Sequence, residues 1–226
     1  GNHGADFLIK DMHRLTLIMK KNYPDLPYVL IGHSMGSYMS RKYASIYGDE
    51  LDGVIFLGTG NQPKAVVDSG LKLAHIAKLV RGERYRSELL NTIMFGAYNK
   101  RIKDNRTAND WLTKDTKIVD EYLSDPKCSY KFTANAYIGF LNVIKYDIDK
   151  KNIAKTPDKL PVLFASGLED PVGDYGKGVK KAFKMYTKYV DNVELYLYED
   201  DRHELHSETD REDIFSDLYE WIEENV

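Results

Sequence analysis

Ser34 sits at the centre of Gly32-His33-Ser34-Met35-Gly36, directly after the apolar run Tyr28-Val29-Leu30-Ile31 and before Met35–Tyr47, a stretch of helical length. A serine hydroxyl is a poor nucleophile until it is lifted clear of its own backbone and offered to a base, and a tight strand-to-helix turn does both. The two glycines of such a turn are expected where neighbouring backbones come too close for a Cβ. The chemistry that follows is attack on an acyl carbonyl. The backbone N–H of Met35, at the start of the helix, would donate to the oxyanion that forms.

A serine nucleophile needs an imidazole to take its proton and a carboxylate to orient that imidazole. For a turn of this type the chain order is serine, acid, histidine. Two later loops can supply the partners, each following an apolar run that reads as a strand. The first is Ser166-Gly-Leu-Glu-Asp170-Pro-Val-Gly-Asp174. Asp170 is the expected acid, ahead of a proline that fixes the direction of the loop; Glu169 should point the other way, and Asp174 lies where it could help start the next helix. The second is Glu199-Asp-Asp-Arg-His203-Glu-Leu-His206. His203 is the expected base, with His206 as the second choice. His33 is beside the nucleophile, His75 lies in a long intervening stretch, and His3 and His13 precede the serine, so all four are worse placed.

The elements that must position these groups follow from periodicity. Leu8, Met12, Leu15 and Met19 recur at helical spacing, predicting an amphipathic helix that ends near Asn22-Tyr23-Pro24. Leu51–Leu57, Leu160–Ala165 and Val193–Tyr198 read as buried strands. A helix with Val179, Phe183, Tyr186 and Val190 on one face separates the last two, and a final helix carries Ile214, Phe215, Leu218, Trp221 and Ile222 behind a capping box at Thr209–Glu212. The stretch between the second and third strands is too long for a structureless loop and is expected to be a mostly helical insertion. Alternation of strand and helix predicts an α/β fold, a mainly parallel sheet with helices on both faces. In such a sheet the serine's strand is central and needs neighbours on both sides, yet the later segments supply only one side. Strands are therefore expected upstream of Gly1, together with the second oxyanion donor.

Composition narrows the class of function. The 226 residues carry a net charge of −3, with 42% hydrophobic and 12% aromatic residues, enough for a substantial core and without the basic excess of a nucleic-acid binder. The single cysteine, Cys128, can make no internal disulfide and no cysteine-rich metal site. That usage fits a reducing, cytoplasmic setting, with a targeting segment upstream of Gly1 left open. No apolar run approaches the roughly 20 residues of a membrane span. Nothing in the pattern calls for a metal or a cofactor.

Longer strings are more specific than the pentapeptide. Gly-His-Ser-Met-Gly-Ser at 32–37, Ser166-Gly-Leu-Glu-Asp170-Pro-Val-Gly with Gly176-Lys-Gly178, and Tyr198 followed by Arg202-His203-Glu204 together resemble the monoglyceride lipase and lysophospholipase group of the α/β-hydrolase superfamily, particularly its bacterial members. Asn105-Arg-Thr-Ala-Asn-Asp-Trp-Leu112, Asp125-Pro-Lys-Cys128 and Phe132-Thr-Ala-Asn-Ala-Tyr137 extend the resemblance along the chain. It implies Ser34 as nucleophile, Asp170 as acid and His203 as base. It also implies a hydrolase core over 1–61 and 159–226, with 62–158 as a lid-like helical cap. Members of the group begin with several strands and a His-Gly segment that helps form the oxyanion hole, and this sequence has neither.

The substrate implied is a small ester, a monoacylglycerol or lysophospholipid, with transient contact to a membrane surface and no nucleic acid. An apolar groove for the acyl tail would draw on Phe95, Tyr98, Trp111 and Tyr137, with Phe132, Ile138 and Phe140 beside them, although packing of cap helices is the commoner role for any one. Asn105, Arg106, Asp110 and Trp111 would either bind a head group or, more simply, hold the cap in place. The same three catalytic groups would also serve an aminopeptidase, amidase or acyltransferase, and a silent scaffold used for binding is the alternative of a different class. Acyl length and oligomeric state are not encoded in these patterns.

Overall fold

The computed structural model describes residues 4–103, 105–128 and 130–226; His3 therefore lies outside the described residues. The elements run in the order α1 (Gly4–Asn22), β1 (Val29–His33), α2 (Met35–Tyr47), β2 (Gly53–Leu57), α3 (Lys64–Arg81), α4 (Glu88–Phe95), α5 (Thr116–Ser124), α6 (Ala134–Asp147), α7 (Lys150–Ile153), β3 (Val162–Gly167), α8 (Lys177–Tyr186), β4 (Val193–Tyr198) and α9 (Arg211–Asn225). The four strands form one parallel sheet in the order β1-β2-β3-β4.

Every residue of β2 and β3 is buried, as expected of parallel strands covered on both faces. Because side chains alternate, Val54 and Phe56 point into one cluster and Ile55 and Leu57 into another. The first lies under α2, α6 and α8, where Phe56, Phe164 and Tyr186 meet at ring-centroid distances of 5.1 to 5.8 Å. The second is closed by α9 through Ile214, Leu218 and Trp221.

β1 has β2 as its one neighbour among the described residues, the single side that the later segments were expected to supply, and Ile31 is 49% exposed. Other expectations shift. The buried face of α1 runs through Ile9 and Thr16 with Ala5 and Met12 partly buried, whereas Leu8 and Leu15 are exposed. β3 starts two residues later than its apolar run, because Pro161 has no N–H to give; its carbonyl instead accepts from Val54 N at 3.0 Å. α8 ends at Tyr186, so Val190 is buried beyond the helix rather than on it. No capping box opens α9: the helix begins at Arg211, and Asp210 at its N-cap makes no side-chain cap bond because its carboxylate faces Lys114 Nζ at 3.6 Å.

Between β2 and β3 the chain is mostly helical. α3 packs on α6, and α6 packs in turn on α2. Ser87 caps α4 by accepting from Leu90 N, and Thr133 caps α6 by accepting from Ala136 N.

Candidate active site

The turn at Ser34 has the strain that a lifted nucleophile requires. Ser34 adopts φ 53° and ψ −120°, an unfavourable region for a residue with a Cβ. It is held there at both ends: Ser34 N–H donates to the Leu57 carbonyl at 3.0 Å, and its own carbonyl accepts from Ser37 N at 2.9 Å and Ser37 Oγ at 2.6 Å. Gly32 is needed where it stands, since a Cβ would run into Ser40 Oγ and the Gly36 carbonyl. Gly36 differs from expectation: a Cβ there meets nothing within 4 Å, because that side of the turn is open.

Three of the strand tips each contribute one group. β1 delivers Ser34, the loop after β3 delivers Asp170 and the loop after β4 delivers His203, in keeping with the rule that sites gather at the carboxyl ends of parallel strands. His203 Nε2 lies 2.8 Å from Ser34 Oγ, and His203 Nδ1 lies 3.0 Å from Asp170 Oδ2. His203 and Asp170 are 2% and 0% exposed. The second carboxylate oxygen of Asp170 accepts from Val172 N at 2.8 Å, so the acid is oriented by its own loop. A carboxylate only accepts, which places the Nδ1 proton on His203 and leaves Nε2 free to take the serine proton. The tip of β2 contributes space: Gly58 has φ 56°, and a Cβ there would stand 3.1 Å from His203 Cε1, Nδ1 and O.

The alternatives separate cleanly. Glu169 is exposed. Asp174 lies in a left-handed turn at φ 49° leading into α8. His206 is exposed, its ring 4.8 Å from His33. His33 itself, read from sequence only as a neighbour of the nucleophile, points its Nε2 at the His203 carbonyl, 3.1 Å away.

The His203 loop is stitched to residues 110–114 of the helical insertion. Arg202 Nη1 donates to the Asp110 and Thr113 carbonyls at 2.7 and 3.0 Å, and Glu204 N donates to the Leu112 carbonyl at 2.7 Å. Glu208, fully buried, accepts from Arg202 N at 2.7 Å and from Lys114 N and Thr113 Oγ1 at 2.9 Å each. Lys114 Nζ pairs with Asp201. Asp201, Glu208 and Asp210 bring carboxylate oxygens together at this point, and the Lys114 ammonium already supplies a positive charge there. Several of these links join two strings that carry the resemblance, Asn105–Leu112 and Arg202-His203-Glu204, but neither string by itself says that the two meet.

Of the aromatic candidates, Phe95, Tyr98 and Trp111 form a chain of ring contacts, 5.7 and 4.8 Å between centroids, that ends with Trp111 at 5.0 Å from the His203 ring. Burial pushes the Tyr98 phenol well above its ordinary value, so it stays protonated. Tyr137 is instead part of the core, donating to Asn91 Oδ1 at 3.3 Å. Asp110 caps its own turn through Thr107, and Arg106 pairs with Asp120, the cap-holding alternative. A cavity of about 450 Å³ opens beside Met35, lined by Met39, Phe132 and Phe140, with Arg86 and Lys131 as its charged groups.

Known proteins share this architecture. The sequence pattern of the family described as "Serine aminopeptidase, S33" matches residues 2–210. A monoglyceride lipase homolog of Monkeypox virus is 21% identical over 216 residues, which span 95% of this chain and 69% of the viral protein. The crystal structure of a highly thermostable carboxyl esterase from Bacillus coagulans, in complex with glycerol, superposes with a TM-score of 0.88 at 28% identity, covering 96% of this chain and 71% of that one. A soluble variant of monoglyceride lipase from Saccharomyces cerevisiae, in complex with a substrate analogue, shares the fold at a TM-score of 0.71 and 20% identity, covering 100% of this chain and 70% of its own.

Proposed function

Because the chain belongs to the serine aminopeptidase S33 family and has the α/β-hydrolase fold, we propose that it hydrolyses carboxylic esters of single-chain lipids, monoacylglycerols or lysophospholipids, with Ser34 as nucleophile, His203 as base and Asp170 as the orienting acid. The observation that carries this reading is the unbroken relay from a strained Ser34 through His203 to a buried Asp170, at 2.8 and 3.0 Å.

Ser34 Oγ attacks the acyl carbonyl as its proton passes to His203 Nε2. The imidazolium that forms is stabilised by Asp170, and the tetrahedral oxyanion accepts from the Met35 N–H. Collapse expels the alcohol, which leaves with the proton from His203, and the acyl group stays on Ser34. Water, deprotonated by His203, then attacks the acyl-enzyme; a fatty acid leaves and Ser34 recovers its proton.

The substrate class rests on the cavity beside Met35. Its size lies in the range of ligand pockets, and its apolar lining suits an alkyl tail. An aminopeptidase must hold a protonated amine, which calls for an acidic group; the charged lining residues here are Arg86 and Lys131, both cationic. Lys131 is already paired with Glu88, and Arg86 suits a phosphate or the released carboxylate instead. In this reading the helical stretch 62–158 is a cap over the acyl site.

A fluorophosphonate probe should label the protein at Ser34 and leave Ser34→Ala unlabelled; no labelling of the unsubstituted protein would overturn the triad. Among p-nitrophenyl esters of increasing chain length, kcat/KM should rise beyond acetate. Faster turnover of aminoacyl anilides than of any ester would overturn the lipid assignment.

A further inference from the structure

Ser34 and His203 come from the tips of β1 and β4, with β2 and β3 between them. A hydrogen bond of 2.8 Å between two side chains on separate loops survives only if both backbones are fixed. Ser34 is fixed by its own turn, as described above. The His203 loop is held on its outer side, by Arg202 N to Glu208 and Glu204 N to the Leu112 carbonyl at 2.7 Å each, while the N–H of His203 itself reaches the Trp111 carbonyl at a long 3.4 Å. Those bonds tie the loop to residues 110–114 and to Glu208; the contact that ties the His203 main chain to the strand carrying Ser34 is on the carbonyl side, where His33 Nε2 lies 3.1 Å from the His203 oxygen.

We propose that His33 is a positioning residue for the base, tying the His203 backbone to the nucleophile's own strand through an Nε2–H donated to the His203 carbonyl. The proposal rests on the triad reading above. A carbonyl only accepts, so the bond fixes the proton on Nε2 of His33. The ring also packs against its client, with centroids 4.7 Å apart at 46°. The groups facing it are His203 and His206, and burial, followed by these two neighbours, pushes the His33 imidazole down to about 3. It therefore stays neutral at working pH and adds no charge against the imidazolium that His203 becomes during acyl transfer. Two successive residues of the pentapeptide then grip the base at two points: Ser34 at the ring and His33 at the main chain.

His33→Phe removes the donor and keeps a ring; His33→Leu removes the donor without added bulk; His33→Gln keeps an N–H at a similar reach. Steady-state hydrolysis of p-nitrophenyl butyrate, with circular dichroism and Tm on each variant, tests the proposal. The two donor-less variants should lose about 10- to 100-fold in kcat, the scale of a small misplacement of a catalytic group. KM should stay within about twofold, and His33→Gln should recover most of the loss. Equal kcat in folded His33→Phe or His33→Leu, a loss confined to KM, or a Gln variant as slow as the other two would overturn it. Labelling of the unsubstituted protein by a fluorophosphonate separates this outcome from failure of the triad itself, which would abolish labelling regardless of residue 33.

Discussion

Replacing Asp170 by asparagine tests the chemistry without changing the size of the side chain. Asp170 Oδ1 accepts from Val172 N at 2.8 Å while Oδ2 faces His203 Nδ1 at 3.0 Å. The Val172 N–H demands an acceptor, so in Asp170→Asn the new amide oxygen must take that position and the new NH₂ must point at His203. The imidazole then has to present a bare Nδ1 and carry its proton on Nε2, which faces Ser34 Oγ at 2.8 Å. In that tautomer it cannot accept the serine proton. A wrong-tautomer imidazole of this kind costs roughly 10⁴-fold in kcat, equivalent to about 5.4 kcal/mol of transition-state stabilisation at 1.36 kcal/mol per decade. The assay is p-nitrophenyl ester hydrolysis at neutral pH, with Tm measured alongside. The geometry predicts a near-native Tm, since the Val172 N–H bond is kept and, beside the reversed His203 contact, the one other bond altered is the long 3.5 Å donation from Ser166 Oγ to Oδ2. A variant within about tenfold of the parent kcat would refute the reasoning, showing that the acid does not set the imidazole's proton.

Gly32→Ala places a Cβ 2.5 Å from the Gly36 carbonyl oxygen, so the turn must open; fluorophosphonate labelling of Ser34 should fall sharply, whereas Gly36→Ala, which meets nothing within 4 Å, should label normally. Glu208→Gln turns one acceptor oxygen into a donor among Arg202 N, Lys114 N and Thr113 Oγ1; urea titration should show a loss of about 1–3 kcal/mol, with kcat falling as the His203 loop shifts, and unchanged stability would show that Glu208 already binds a proton. Asp147 is buried with both carboxylate oxygens lacking a hydrogen-bond partner among the described residues, and burial, opposed by Arg41, pushes it from 3.8 up to about 8. The folded protein thus holds this proton more tightly than the unfolded chain, so Asp147 subtracts stability progressively as pH rises through that window and most fully above it. Asp147→Asn should flatten the fall in Tm between about pH 5 and pH 9; a parent protein whose Tm declines no more than the variant's would contradict this.

The candidate triad was legible because parallel strands place their loops at one end, so that chain order and loop position together select Ser34, Asp170 and His203. Other features were hidden for physical reasons. α1 carries apolar residues around most of its circumference, Phe7, Leu8, Ile9, Leu15, Leu17 and Ile18 among them, so spacing could not say which stripe its neighbours would bury. The stitching of 110–114 to the His203 loop runs mainly through backbone carbonyls and N–H groups, which nearly every residue possesses. Tyr137 shows the limit of residue type: a tyrosine in the insertion is as able to fill a core as to line a groove. Thr209 through Glu212 matched a capping pattern, but the Lys114 ammonium drew Asp210 into an ion pair and the helix began one residue beyond it.

The acid and base are 33 residues apart in sequence, within the unit formed by β3, α8 and β4, whereas the nucleophile and base are 169 apart. The pair can therefore assemble early and locally, while the bond to Ser34 waits for the longest loop closure in the site. Ser34 also follows a strand that is only partly covered among the described residues, its Ile31 half exposed while β2 and β3 are wholly buried. Local opening of β1 from β2 would cut the relay while β2, β3 and β4 stay paired. As denaturant is raised, catalysis should vanish before helical ellipticity does, and reactivity at Ser34 becomes a gauge of the last step in folding rather than of folding in general.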